Sequence, residues 1–129
     1  MLFRSLKAYS VLIESYASTP EKQRAEALVE ELSEIEASLD YAQVMDKFES
    51  KDYENAIKGF KDIIEKYPDT YTQLAAYCNL GLTYEILRQW PQAVENYDQT
   101  LARGEGDIEN SDVVNFARLH RDWIVENRL

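Results

Sequence analysis

The chain is short of the residues that break helices or carry redox, metal and nucleophilic chemistry. Among 129 residues there are one cysteine, one histidine, three prolines and four glycines. One thiol, Cys78, excludes an intramolecular disulfide and any multi-thiolate zinc site. One imidazole, His120, means that a Ser-His-Asp or Cys-His nucleophile would have to use it. Positive charge is scarce too: 14 Lys and Arg face 24 Asp and Glu, a net charge of −10. Binding to a phosphate backbone needs clustered cations, so nucleic acid is set aside as a partner. Long apolar runs are missing. The longest stretch without a charge is Thr70 to Tyr84, shorter than the ~18 apolar residues of a membrane span and rich in polar groups. The first sixteen residues carry Arg4, Lys7 and Glu14, leaving no uninterrupted apolar core for a signal peptide. The sequence leaves the compartment open between cytoplasmic and, if a leader preceding this numbering has been removed, periplasmic.

What is present is 45% hydrophobic and 12% aromatic, enough to order a chain despite its charge. The length suits one domain, residues 1–129, burying roughly two-thirds of its unfolded surface. Each proline stands at a helix start or stop. Ser18-Thr19-Pro20-Glu21 offers a hydroxyl cap, proline at the first helical position and an acid in the first turn. Trp90-Pro91 marks another start, Tyr67-Pro68 a stop, and Gly104-Glu105-Gly106 a further break. Between these marks apolar residues recur every three or four positions, as in Ala25, Leu28, Val29, Leu32, Ile35 and Leu39, or Ala56, Ile57, Phe60, Ile63 and Ile64. No segment alternates as a strand would. The spacing predicts an all-α chain of seven helices, at about 3–17, 20–37, 39–50, 53–66, 71–88, 91–103 and 112–127. Nothing between 37 and 39 breaks a helix, so the second and third are alternatively one long arm with heptad spacing. Short links imply antiparallel hairpins.

The most ordered segment reads Tyr77-x-x-Leu80-Gly81-x-x-Tyr84, followed by Ala93-x-x-x-Tyr97. The pattern returns upstream as Tyr41-x-x-Val44-Met45-x-x-Phe48 with Ala56-x-x-x-Phe60-x-x-Ile63 and then Pro68. An earlier copy, Tyr9-x-x-Leu12-Ile13-x-x-Tyr16 with Ala25-x-x-x-Val29-x-x-Leu32, has Ile13 at the small position. Val113-x-x-Phe116-Ala117-x-x-His120 is a first-helix half alone. The leading positions are 32, 36 and 36 residues apart. This resembles the tetratricopeptide repeat, whose period is about 34. The resemblance implies a right-handed solenoid of stacked hairpins, with repeats at about 5–37, 38–68 and 74–107 and a capping helix at 112–127. Gly81 and Ala93 would be small so that two helices approach closely. The run Ile64 to Asp69 with its long link to Tyr77 is similar to the bacterial envelope members, such as the Tol–Pal coordinator and the outer-membrane assembly lipoproteins.

Each residue that could carry chemistry also has a packing or solvation role. His120 falls where Tyr16, Phe48 and Tyr84 stand, a packing position. Cys78 follows a core aromatic, where inert buried thiols are common. Glu30, Glu31, Glu34 and Glu36 belong to a stretch, 21–54, with eleven carboxylates and four cations, which reads as a solvated acidic face. With no phosphate loop, Gly-x-Ser-x-Gly or His-Glu-x-x-His, no enzyme, cofactor or metal is expected.

In the family the first helix of each pair lines a concave surface that binds peptides, and the resemblance places a groove accordingly. Its residues would be Ser10, Glu14 and Ala17; Ala42, Asp46 and Glu49; Cys78, Leu82 and Glu85; and Val114, Arg118 and Arg121. Such a groove is acidic at one end, apolar at Cys78 and Leu82, and basic at Arg118 and Arg121. Some relatives clamp a C-terminal carboxylate with Lys and Asn; Cys78 and Leu82 at those sites argue against that. Arg118 and Arg121, one turn apart, either hold an acidic ligand group or are ordinary solvated residues paired with Asp122 or Glu126. The expectation is a protein-interaction scaffold that binds a partner segment. Self-assembly through helices at 3–39, favoured by Phe3, Leu6, Leu12 and Ile13, is the alternative.

Overall fold

The computed structural model describes residues 19–129. The expected helix at 3–17, with Ser10, Glu14, Ala17 and the first-helix half of the earliest repeat, lies outside the described residues. Those described form five α-helices and one 3-10 turn, with no strand among them. They are α1 (Pro20–Glu49), α2 (Tyr53–Lys66), α3 (Tyr71–Ile86), α4 (Trp90–Gly104) and α5 (Ser111–Arg128), the turn being Ile108–Asn110.

The capping signals operate as chemistry requires. The Thr19 hydroxyl accepts from the Lys22 amide at 3.2 Å, ahead of Pro20. Asp52 and Thr70 cap α2 and α3 in the same way, through the amides of Asn55 and Gln73. The separate helices expected at 20–37 and 39–50 are one continuous helix of 30 residues, about 45 Å long. Ala37-Ser38-Leu39 contains neither glycine nor proline, so nothing interrupts the amide ladder where the boundary was expected.

Two hairpin turns share one hydrogen-bond pattern. After α1 the Lys51 amide donates to the Phe48 carbonyl, and that of Asp52 to Lys47. After α3 the Arg88 amide donates to Glu85, and that of Gln89 to Tyr84. This is the Schellman closure of a helix end. It puts its central residue in the left-handed region, and Lys51 (φ 64°) and Arg88 (φ 59°) occupy it where glycine is usual.

Each helix packs mainly on the next in sequence. Helix α1 also meets α3, and α3 meets α5, while no comparable contact joins α2 to α4. Alternate helices therefore share one side. The core runs through the stack in two parts. Phe60 and Ile63 of α2 and Tyr67 at its C-terminal cap pack with Ala37, Ala76 and Leu80, while Ala93 and Tyr97 of α4 pack with Cys78, Ala117 and Ile124. Tyr84 lies against both parts. Small residues set the spacing. A β-carbon on Gly81 would meet the Tyr97 ring, and one on Gly59 would meet Val44. In the upstream hairpin the small residue thus sits on the second helix, which explains how Met45 can occupy the first-helix position.

The acidic face is not wholly solvated. Glu30 and Glu31 are exposed, but Glu36 is 8% exposed and its Oε2 has no hydrogen-bond partner. Glu34 is half-buried, with Oε2 accepting from the Tyr71 amide at 3.4 Å. Continuity of α1 is the reason: residues 33–37 run alongside the α2–α3 connection instead of ending a separate hairpin in water.

Candidate functional site

The shared side of α1, α3 and α5 carries a groove of about 520 Å³. Along α3, Tyr71, Ala75, Cys78 and Leu82 line it, a spacing of four, three and four that keeps them on one helix face. Ser38 and Tyr41 enter from α1, and Asp112, Val113 and Phe116 from α5. The floor is apolar. Its one thiol, on Cys78, is buried, and burial pushes its pKa up to about 12. Its Sγ lies 4.0 Å from the Val113 carbonyl oxygen.

Tyr41 spans the groove's α1 edge. Its ring packs 6.2 Å from that of Phe60, and its hydroxyl pairs with the Asn79 side chain. Burial raises the Tyr41 pKa. Further along α3, Glu85 joins three helices: its Oε1 accepts from the Tyr97 hydroxyl at 2.8 Å and lies 2.9 Å from His120 Nδ1. His120 stacks on Phe116 with ring centres 3.9 Å apart. A cleft of about 340 Å³ opens beside them, lined by Glu85, Leu119, His120 and Trp123. His120 is thus held by packing and by one carboxylate.

Of the residues expected to face the groove, Cys78 and Leu82 line it. Glu85 lies one turn beyond, in the adjoining cleft. Ala42, Asp46 and Glu49 are exposed on α1 and do not line it. The α1 contribution instead comes from Tyr41, whose bond to Asn79 turns the ring across to α3.

The expected basic end does not form along the groove. Helix α5 buries Val114, Ala117 and Ile124, and a β-carbon on Gly104 would meet both Val114 and Leu74. With that stripe inward, Arg118 pairs with Glu105, while Arg121 Nε donates to Asp98 Oδ1 at 2.8 Å and Nη1 to Asp122 Oδ1 at 3.2 Å. Asp98 and the Asp122 bond raise the Arg121 pKa. Both guanidinium groups are engaged toward α4.

Phe116 and Tyr71 are groove residues that the repeat register did not single out. Phe116 occupies a core position of the register, yet it is half-buried, stacked on His120 at the groove. Tyr71 precedes the repeat, and its place at the first turn of an apolar α3 face is the signal that could have identified it. No group of acidic, His or Cys side chains among the described residues could hold a metal ion. No helix among them is long and apolar enough to cross a membrane.

Compared with known proteins, the chain matches no family model, no curated protein and no solved structure.

Proposed function

We propose that this chain is a non-catalytic protein-interaction module of tetratricopeptide type, which holds a segment of a partner protein in the groove of α1, α3 and α5. The observation that carries the reading is the placement of that groove on alternate helices, the side that hairpins of this family use for peptides. Two further features support it. The turns after α1 and α3 close with the same hydrogen bonds at Lys51 and Arg88, 37 residues apart, within one residue of the Tyr41 to Tyr77 spacing. The two groups that nucleophilic catalysis would need are committed to packing, the Cys78 thiol by burial and His120 by Phe116 and Glu85.

Affinity capture from the native cell, with the wild type and Leu82→Glu side by side, tests this. Leu82 is half-buried at the groove and leaves space for the change at its open side. Partners recovered by the wild type and lost by the variant are the expected result. Retention of every partner would remove the groove from the function.

One observation favours self-assembly as a second reading. Ile35 and Leu39, one turn apart on α1, are 45% and 53% exposed. Light scattering at tens of micromolar that shows a dimer, dispersed by Ile35→Glu with Leu39→Glu, would establish it; a monomer would end it.

A further inference from the structure

The groove meets a second cavity at Tyr71, which lines both. This cavity, about 490 Å³, opens beside the first turn of α3 and the connection from α4 to α5. Four carboxylates line it, those of Glu34, Asp69, Asp107 and Glu109, against a single cation, Arg103. Arg103 is occupied: its guanidinium lies over the Tyr77 ring, 4.9 Å from the centre, and its Nε donates to Gln99. A fifth carboxylate, Asp112, borders the groove itself. No ion pair among the described residues involves Asp69, Asp107, Glu109 or Asp112. Arg118 and Arg121, the cations nearest in sequence on α5, are turned to Glu105 and Asp98. An apolar floor therefore leads into a mouth where five carboxylates outnumber one cation, Arg103.

We infer that the groove selects a partner segment in which apolar side chains stand beside lysine or arginine. The apolar residues seat against Ala75, Cys78, Leu82 and Phe116, and the cations face Asp112, Glu109 and Asp107 at the mouth. This inference rests on the groove reading above. The division of labour follows from the physics of association. Apolar contact at the floor supplies lasting affinity, while solvated carboxylates at an open mouth speed encounter and reject acidic segments. Binding should therefore weaken with salt, since the Debye length falls from about 10 Å at 0.1 M to about 3 Å at 1 M.

Selection of random dodecapeptides displayed on phage against the full chain, followed by fluorescence anisotropy of the recovered sequences, tests the assignment. The expected peptides combine apolar residues with Lys or Arg, bind at least about fivefold more weakly in 0.5 M than in 0.05 M salt, and lose binding to Leu82→Glu. Glu109→Lys with Asp112→Lys, both at exposed positions, should weaken them by a similar factor at low salt. Should the lysine in the first turn of α5 disturb the helix by circular dichroism, Glu109→Gln with Asp112→Asn gives the same readout at smaller size. Neutral or acidic peptides that still depend on Leu82 would overturn the charge assignment and leave the groove standing. Peptides indifferent to Leu82→Glu, or none recovered, would overturn the groove reading and this inference together.

Discussion

The ring of Tyr97 fills the space that a β-carbon on Gly81 would need. Such an atom would lie 2.8 Å from Cδ1 and from Cε1 of the ring. Tyr97 is fully buried and tied at its hydroxyl to Glu85, so it has nowhere to retreat. The α3–α4 hairpin, and through it the floor of the groove, depends on this approach. Gly81→Ala should cost about 2 kcal/mol through overpacking, even though alanine is the better helix former. Urea denaturation reads the loss. An unchanged midpoint would mean that the two helices are free to separate.

Glu85 serves two partners at once, the Tyr97 hydroxyl and His120. Tyr97→Phe removes one and should cost about 1 kcal/mol. Glu85→Ala leaves a buried hydroxyl without an acceptor and removes the contact of α3 with His120, and should cost about 2–3 kcal/mol. In the double variant the two losses should not add, because each change already removes the same bond. Additive losses would show that the carboxylate acts on His120 alone.

Lys51 and Arg88 hold left-handed backbone at helix ends where glycine would rest without strain. Lys51→Gly and Arg88→Gly should each raise stability by up to about 1 kcal/mol, the cost a side chain pays in that region. Both positions are exposed and neither lines the groove, so partner binding should not change. A lower melting temperature for either variant would mean that its side chain contributes more than its backbone costs.

Stability should fall in alkali, and the sign follows from burial. Burial pushes Cys78 from 9.0 up to about 12, and it is also the first cause raising Tyr41, Tyr67 and Tyr97 above 10.0. Above about pH 9 the unfolded chain releases protons that the native state retains, so unfolding is favoured progressively as pH rises. These contributions are intact below pH 9. Urea midpoints at pH 8, 9.5 and 11 should therefore decline, and Cys78→Ala should remove the part of the decline that begins near pH 9. A decline beginning near pH 9 in Cys78→Ala as in the wild type would show that the thiol titrates normally in the fold. Thiol-reactive dyes at pH 8 should label the native protein far more slowly than the urea-unfolded chain.

The helices were legible because their signals are local. Thr19-Pro20 and Trp90-Pro91 mark starts where the structure has them, and the three-and-four spacing of Ala56, Phe60 and Ile63 marks the buried face of α2. The close approach at Gly81 was legible as well, since a small residue among aromatics has few other uses. The continuity of α1 stayed open, because Ala37-Ser38-Leu39 permits a helix without requiring one; packing of residues 36–44 on α2 and α3 settled it.

Much of the groove was not legible. A repeat register assigns side chains to faces as though each hairpin were rotated like the last, and two helices depart from that rule. Tyr41 is drawn across to Asn79, leaving Asp46 and Glu49 on the outside of α1. Helix α5 turns Val114 and Ala117 inward, which carries Arg118 to Glu105 just past α4 and Arg121 to Asp98 on it. The sequence by itself determined an all-helical chain, the places where most helices begin and end, and an excess of negative charge. Only the tertiary structure decided which carboxylates stay unpaired and which side chains line the groove. Helix formation depends on neighbours three and four residues away, whereas the facing of a side chain depends on partners that the fold brings from 13 to 38 residues off.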